Sequence, residues 1–174
     1  MRDEPMQHEN MRGRKQLDRH RSVEAPPEFV YELFMDNSEL HNWAPPVNKV
    51  LDEVGGDESG LRRTRTCDVT MQGRRGTMVE QCVEARAGSR ASFLVVDDSF
   101  GFHRMLDDYG FTVSFAEAAH GARVRIETFY TPANLVAAAM NVLVMRRRLR
   151  RVVDEMLAGL QHLAEQRYRS RPGA

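Results

Sequence analysis

The chain has 174 residues, enough for one domain with a sizeable buried core. Lysine plus arginine and aspartate plus glutamate both number 25, so the overall charge gives no reason to expect a nucleic-acid partner. Two cysteines provide neither a disulfide framework nor metal-ligand spacing, and no apolar run is long enough to span a membrane. The first 20 residues also contain no apolar core of a secretory signal. We therefore expect a cytoplasmic protein with reduced thiols and no cofactor or metal.

The N-terminal part of the chain predicts a tail, a strand and two short helices. Residues 1–14 are polar and without pattern, which predicts a disordered tail, as do residues 168–174, so the expected domain spans 15–167. Residues 16–24 have the composition of an edge strand. Ala25-Pro26-Pro27-Glu28 then opens a helix, since proline and an acidic residue both suit a first turn. A second short helix reaches Trp43 before the next pair of prolines.

The middle of the chain predicts six further strands, at 47–54, 61–71, 77–85, 89–96, 109–115 and 123–130. The second and third of these predict a hairpin around Gln72-Gly73-Arg74-Arg75-Gly76. A turn centred between Arg74 and Arg75 places Cys67 opposite Cys82, Arg65 opposite Glu84, and Val69 opposite Glu80.

The C-terminal part predicts one long helix from Asn134 to Glu165, preceded by Thr131-Pro132 as its cap and first turn. Apolar residues recur on one stripe, namely Val142, Met145, Leu149, Val152, Val153, Met156, Leu160 and Leu163. Thirty-two helical residues span ~48 Å, more than a small domain needs to close its core. We expect an α+β fold in which an antiparallel sheet of about seven strands curves around this helix, with a ligand cavity between the two.

This order of elements, with Ala25-Pro26-Pro27-Glu28-Phe29-Val30-Tyr31 and Trp43-Ala44-Pro45-Pro46-Val47, resembles the START-like, helix-grip superfamily. The chain looks most like its bacterial polyketide cyclase/dehydrase and lipid-transport group, over residues 17–165. The resemblance implies binding or transport of an apolar or amphipathic small molecule. It also implies an alternative, a cofactor-free lyase that cyclises or dehydrates a poly-β-keto chain.

Plant hormone receptors share this fold, and two local features resemble theirs. Their pocket carries an Arg and, fifteen positions on, a Glu, which Arg65 and Glu80 match, and their pocket-mouth loop resembles 103–106, His-Arg-Met-Leu. The lysine that anchors their ligand's acid has no counterpart here, so the hormone itself is not implied.

Charged residues interrupt one face of the predicted hairpin. Arg65, Glu80 and Glu84 share this face with apolar residues and both cysteines, while the opposite face is polar. Inside a cleft, such charges must pair with each other, with water or with a ligand. These charged residues therefore form either a ligand anchor or a cross-strand pair at the solvent-exposed end of the sheet.

Other groups also have alternative interpretations. His103, Asp107, Asp108 and Tyr109 are able to act as acids and bases, or they form a polar loop over the cavity mouth. Cys67 and Cys82 form a cross-strand disulfide or remain buried thiols. The candidates for catalysis are Arg65, Glu80, His103 and Tyr109. The predicted ligand-lining residues are Trp43, Arg65, Cys67, Val69, Glu80, Cys82, Phe102, His103, Tyr109, Phe111, Met145, Leu149, Val152 and Met156.

Two stretches of the long helix predict contacts outside the domain. Residues 146–151 hold five arginines, which form a solvated face or contact anionic lipid headgroups peripherally. Residues 135–145 are apolar on nearly all sides, so they line the cavity mouth or cover a second subunit in a homodimer. A pure protein-interaction domain, which would have a filled core, is the third functional class.

Overall fold

In a computed structural model that describes residues 11–171, seven antiparallel strands form one sheet, and a long helix packs across it. The strands and helices are β1 (Lys15–Val23), α1 (Pro27–Met35), α2 (Leu40–Trp43), β2 (Val47–Val54), β3 (Thr64–Met71), β4 (Arg74–Arg86), β5 (Arg90–Asp98), β6 (Leu106–Ala118), β7 (Gly121–Pro132), α3 (Leu135–Met140) and α4 (Arg146–Arg169). A 3₁₀ turn, Phe102–Arg104, precedes β6. The sheet order is β1-β7-β6-β5-β4-β3-β2. The predicted fold class is confirmed.

The side of the sheet that faces α4 is apolar because alternate residues of each strand point to it. Val113, Phe115 and Ile126 on the central strands are buried there. On the helix, Val153, Leu157 and Leu160 are buried against them. The core therefore lies between the sheet and the second half of the long helix.

The β3–β4 turn lies at Gln72-Gly73, and the predicted pairing is therefore wrong. Both residues have positive φ, 54° and 76°, as in the two-residue turns that match strand twist. Arg65 is opposite Glu80 and Cys67 is opposite Met78. The true register differs from the predicted one by an even number of residues, so Arg65, Cys67 and Glu80 keep the face expected for them.

The C-terminal helix begins at Leu135, one residue after the predicted start at Asn134 and three residues after Pro132, which was expected in its first turn. Pro132 ends β7, and Asn134 is the N-cap, its side chain accepting a hydrogen bond from the N–H of Ala137 at 2.9 Å. The chain is then helical without interruption to Arg169, through α3, a π-helical turn at Asn141–Met145, and α4. The expected single long helix is confirmed.

The π turn changes which residues face the sheet near the start of this helix. A π turn adds one residue to a helical turn, so the face upstream shifts by one position. Asn141 is 5 % exposed, whereas Val142, expected on the buried stripe, is 67 % exposed. The rest of the stripe is buried or half-buried, with Leu160 the most enclosed.

Close packing fixes α4 against α2. A Cβ atom at Gly159 would lie 2.2 Å from the carbonyl oxygen of Trp43, so only glycine permits this approach.

At the N-terminal end of the described residues, Met11 is buried, and the N–H of Tyr130 donates to the carbonyl of Arg14. Of the predicted tails, residues 168 and 169 belong to α4, and residues 1–10 and 172–174 lie outside the described residues.

Candidate functional site

A buried ion pair joins β3 and β4 on the side of the sheet that faces the helix. The Nε–H of Arg65 donates to Oε2 of Glu80 at 2.8 Å, and Nη2 lies 2.7 Å from the same oxygen. Nη1 donates to Oδ1 of Asn37 at 2.7 Å, and the guanidinium carbon is 4.5 Å from the ring centroid of Phe93. Both charged residues are buried. The pair is cross-strand, as one interpretation expected, and it lies inside rather than at a solvated edge.

The predicted third charge, Glu84, is absent from this cluster. The pairing of β4 with β5 shifts between Cys82 and Glu84, which places Glu84 opposite Ser92 instead of on the inner face. There its carboxylate accepts from Ser92 at 2.7 Å and from Arg90 at 3.0 Å. A strand irregularity of this kind reverses which side the following residues face. Arg65 and Glu80 therefore form a two-charge pair.

The ion pair retains unused hydrogen-bonding capacity. A guanidinium has five N–H donors, and the contacts to Glu80 and Asn37 use three of them. Oε1 of Glu80 accepts no hydrogen bond from any residue between 11 and 171. A cavity of about 10 Å³ beside Arg65, between Asn37 and Phe93, has room for one water molecule. Donors of the Arg65 guanidinium are thus available to a small polar group in this cavity.

Tyr109 brings a phenol to the same region. Its ring packs edge-on against Phe102, with 6.3 Å between centroids, and against Tyr130, at 5.9 Å. Burial, reinforced by the negative charge of Glu80, raises the pKa of Tyr109. Its surface is nevertheless partly accessible, and its hydroxyl has no hydrogen bond to the described residues. Tyr109 therefore lies at the boundary between the protein interior and an accessible surface.

The other predicted lining residues divide into two groups. Those that are buried in the core are Trp43, Cys67, Val69 and Cys82. Those that are partly exposed are Phe102, Phe111, Met145, Leu149, Val152 and Met156. Trp43 packs on Phe34, with 5.4 Å between ring centroids, and its indole N–H finds no acceptor within the described part of the chain.

The two cysteines are free thiols, so the disulfide interpretation is wrong. Cys67 faces Met78 across the strands rather than Cys82, which removes the geometry that a disulfide needs. Burial raises the pKa of Cys67 to about 12 and also raises that of Cys82. Both thiols therefore stay protonated at neutral pH and behave as small apolar side chains.

His103 lies on the surface, apart from the ion pair. Its side chain is 56 % exposed, and its Nδ1 is 3.3 Å from Asp98 at the end of β5. The carboxylate of Asp98 accepts the N–H groups of Phe100, Phe102 and His103, at 2.7, 3.0 and 3.2 Å. Asp107 and Asp108 are also exposed. The segment from 99 to 104 is therefore a polar loop whose geometry Asp98 holds.

Sequence reasoning missed four residues that shape this region. Asn37 and Phe93 hold the guanidinium of Arg65, Asp98 holds the loop, and Asn141 accepts the hydroxyl of Tyr130 at 2.6 Å. Asn141 is the one polar residue within an apolar run, which was a visible signal. No such signal marks Asn37 and Phe93 in the sequence, because their contacts with Arg65 join distant parts of the chain.

A curved seven-stranded sheet, two short helices after β1 and a long C-terminal helix across the sheet define the Bet v 1-like, helix-grip class of protein. Within this class, the chain belongs to the family described as polyketide cyclase / dehydrase and lipid transport, whose model matches residues 14–165. No curated protein matches the chain in sequence.

Solved structures show the same fold at low sequence identity. The Zhui aromatase/cyclase from Streptomyces sp. R1128 is 13 % identical, with a TM-score of 0.73 over 91 % of this chain and 98 % of that one. The protein TTHA0849 from Thermus thermophilus is 20 % identical, with a TM-score of 0.70 over 87 % and 97 %. A START superfamily protein from Mycobacterium smegmatis is 13 % identical, with a TM-score of 0.67 over 86 % and 97 %.

Between residues 11 and 171, no three His, Cys, Asp or Glu side chains come together as a metal site would require. No helix in this range has the length and apolar character of a membrane span.

Proposed function

We propose that the protein binds an amphipathic small molecule between the inner face of the sheet and the first half of the long helix, and carries it. The observation that supports this most is the Arg65–Glu80 pair with its spare donors and acceptor, set among aromatic and aliphatic side chains. Apolar surface supplies affinity in such a site, and a few polar groups fix the orientation of the ligand.

The polar groups fit a ligand carbonyl or carboxylate. Arg65 offers the two remaining N–H groups of its guanidinium, and the Tyr109 hydroxyl offers a third donor. Because burial raises the pKa of Tyr109, this hydroxyl remains protonated at neutral pH. Phe111, Leu149 and Met156, which are half-buried on the facing surfaces, would contact the apolar part of the ligand. Family membership agrees with an apolar small-molecule ligand.

Two measurements test this proposal. Native mass spectrometry of the purified protein should show a co-purifying small molecule. A fluorescent naphthalene sulfonate, which combines an apolar ring system with an anion, should bind, and Arg65→Met should weaken its binding more than tenfold, ~1.4 kcal/mol. Arg62→Met is the matched control, since Arg62 is exposed and lies before β3 begins. Equal binding by both variants and the parent would refute the anchor.

Loss of binding by misfolding must be separated from loss of the anchor. Arg65→Met leaves Glu80 buried without its counter-charge, which is costly in itself. The double variant Arg65→Met/Glu80→Gln removes this uncompensated charge. We expect the double variant to regain stability in urea unfolding but not affinity for the anionic probe. Recovery of both would show that Arg65 acts on folding alone.

A second candidate function, cyclisation or dehydration of a poly-β-keto chain, is favoured by one observation. Oε1 of Glu80 has no hydrogen bond to the described residues, and its charge acts on the protonated hydroxyl of Tyr109. A carboxylate base and a phenol acid in one interior are the groups that aldol chemistry requires. Incubation with a poly-β-keto thioester distinguishes the two functions, since a carrier returns it unchanged. An enzyme should lose turnover on Glu80→Gln.

A further inference from the structure

The start of the long helix exposes apolar side chains that the domain itself does not cover. We call the following residues the apolar surface: Met105, Leu135, Val136, Met140, Val142 and Leu143. Leu135 is 89 % exposed, and Val142 and Leu143 are 67 % and 66 % exposed. A single exposed leucine is ordinary, but several neighbours on a soluble domain indicate a surface that contacts something else.

Local structure holds these side chains outward. The π turn at Asn141–Met145 brings Asn141 inward, where it accepts from Tyr130 at 2.6 Å and donates to Gln16 at 3.3 Å. Val142 and Leu143 are consequently directed to solvent. The N–H of Ala133 donates to the carbonyl of Met105 at 2.9 Å, which joins the loop before β6 to the start of α3. The apolar surface is therefore one patch, next to the loop that Asp98 holds.

Cations lie immediately beyond this patch on the same helix. Arg147, Arg150 and Arg151, which we call the arginine cluster, are exposed and form no ion pair within residues 11–171. They line an open surface groove with Asp154 and Glu155. Asp154 is already bound by Arg19, at 2.7 Å and 3.1 Å. Leu135 and Arg151 are about 24 Å apart along the axis, so one helix side presents apolar groups and then positive charge.

We propose that this side of the helix docks on an anionic lipid bilayer. Exposed aliphatic side chains insert at the boundary between headgroups and acyl chains, while arginines next to them bind the anionic headgroups. The proposal rests on the proposed function, because a carrier of an amphipathic molecule needs a surface at which it loads and unloads. The loop from 99 to 104, beside the patch, would then face the membrane.

A second copy of the chain fits this surface less well. In a two-fold dimer, the same patch meets itself, and each subunit would bring its own arginine cluster to the interface. Like charges that meet directly in an interface oppose association by several kcal/mol, and a second copy supplies no additional negative charge where they do not meet. Near the cluster, Asp154 is occupied by Arg19, which leaves Glu155 to offset three cations. An anionic bilayer supplies the missing negative charge.

Vesicle flotation of the full chain tests the proposal. The parent should bind phosphatidylcholine vesicles that contain phosphatidylglycerol, should not bind pure phosphatidylcholine, and should dissociate at high salt. Arg147→Gln/Arg150→Gln/Arg151→Gln should weaken binding about a hundredfold, since each of the three cations near the surface contributes about fivefold. Lys49→Gln/Arg62→Gln/Arg123→Gln removes equal charge from other exposed positions and should bind nearly as the parent does.

The apolar contribution is tested separately. Leu135→Ser/Leu143→Ser should weaken vesicle binding at least tenfold, whereas Leu51→Ser/Val54→Ser, at exposed apolar positions of β2, should not. The proposal would be overturned if the triple arginine variant and the double leucine variant both bound vesicles as the parent does. So would a concentration-dependent dimer that Leu135→Ser/Leu143→Ser abolishes, since a second copy would then be the occupant.

Failure of docking and failure of the proposed function have different signatures. The part of naphthalene sulfonate binding that Arg65→Met removes reports the interior without any vesicle, because exposed apolar side chains next to arginines also bind this probe. If Leu135→Ser/Leu143→Ser and the parent both bind the probe but neither binds vesicles, docking alone is wrong. If vesicles bind and the probe does not, the interior site is wrong and the surface stands.

Discussion

The ring centroids of Tyr109 and Tyr130 lie 5.9 Å apart, but their hydroxyl groups differ in whether they have a hydrogen-bond partner. The hydroxyl of Tyr130 donates to Asn141 at 2.6 Å inside the molecule, where this bond fixes the start of the long helix to β7. The hydroxyl of Tyr109 has no such bond with the described residues. A polar group placed deep in a protein without a partner is uncommon unless water or a ligand reaches it. Tyr109 is therefore the residue that best separates a binding role from a structural one.

The same substitution at the two positions should have different effects. Tyr130→Phe leaves the oxygen of Asn141 without its donor and should cost about 1–3 kcal/mol of unfolding free energy. Tyr109→Phe should change stability little, but it should weaken a carbonyl ligand several-fold. Urea unfolding and probe titration measure the two effects. If Tyr109→Phe destabilises the fold as much as Tyr130→Phe, its hydroxyl is structural.

Among the elements, the loop between β5 and β6 depends on a single carboxylate. Burial alone would raise the pKa of Asp98, but hydrogen bonds from Phe102, His103 and Phe100 outweigh it and lower that pKa. Gly101 takes a left-handed conformation, with φ of 82°, which lets the chain bend around the carboxylate. Phe100 and Phe102, whose rings stack at 5.7 Å, pack against the core. The loop is thus held by the carboxylate of Asp98, by hydrogen bonds between Ser99 and Thr77, and by apolar packing of the two rings.

We expect Asp98→Ala to release this loop. The amides of Phe100, Phe102 and His103 lose their acceptor, so their hydrogen exchange should become much faster, while Asp107→Ala, at an exposed position, should leave it unchanged. The folded-state pKa is depressed, so this stabilisation is present above the ordinary carboxyl pKa of about 4 and is lost as pH falls through the lower folded value. In the parent, these amides should exchange more slowly when the probe is bound. Strong, equal protection with and without the probe would show that the loop from 99 to 104 does not respond to a bound ligand.

At the scale of the whole molecule, the long helix performs two tasks along its length. From Val153 onward it closes the core against the sheet, and Gly159 lets it contact the backbone of Trp43. Before that, apart from the buried Ala137 and Asn141, its side chains are partly or largely exposed, with Leu143 as an example. Global stability should therefore depend on the second half of the helix, and ligand and membrane contacts on the first.

Leucine-to-alanine substitution in each half tests this division. Leu160→Ala should cost about 2–5 kcal/mol, because it removes buried methyl groups and leaves a cavity. Leu143→Ala, on the exposed part, should change the unfolding free energy by less than ~0.5 kcal/mol. Urea unfolding measures both. A loss at Leu160 no larger than that at Leu143 would mean that the helix does not close the core.

Local patterns in the sequence were enough to predict the order of elements, the helix-grip class and the inner face of the hairpin. These depend on local periodicity: alternation in strands such as 109–115, and helical spacing from Leu149 to Leu163. The predicted β3–β4 register was wrong by an even number of residues. Because side chains alternate with a period of two along a strand, such an error changes which residues pair but not which face they occupy.

Only the tertiary structure decided which charges meet. The positive φ of Gln72 fixed the turn and set Arg65 against Glu80, and the irregularity before Glu84 turned that residue away. The π turn replaced Val142 by Asn141 on the inner face because Tyr130 and Gln16 satisfy the amide there. Asn37 and Phe93 reach Arg65 from residues 28 positions away in each direction. Local pattern carries no information on such contacts, since their free energy depends on groups that only folding brings together.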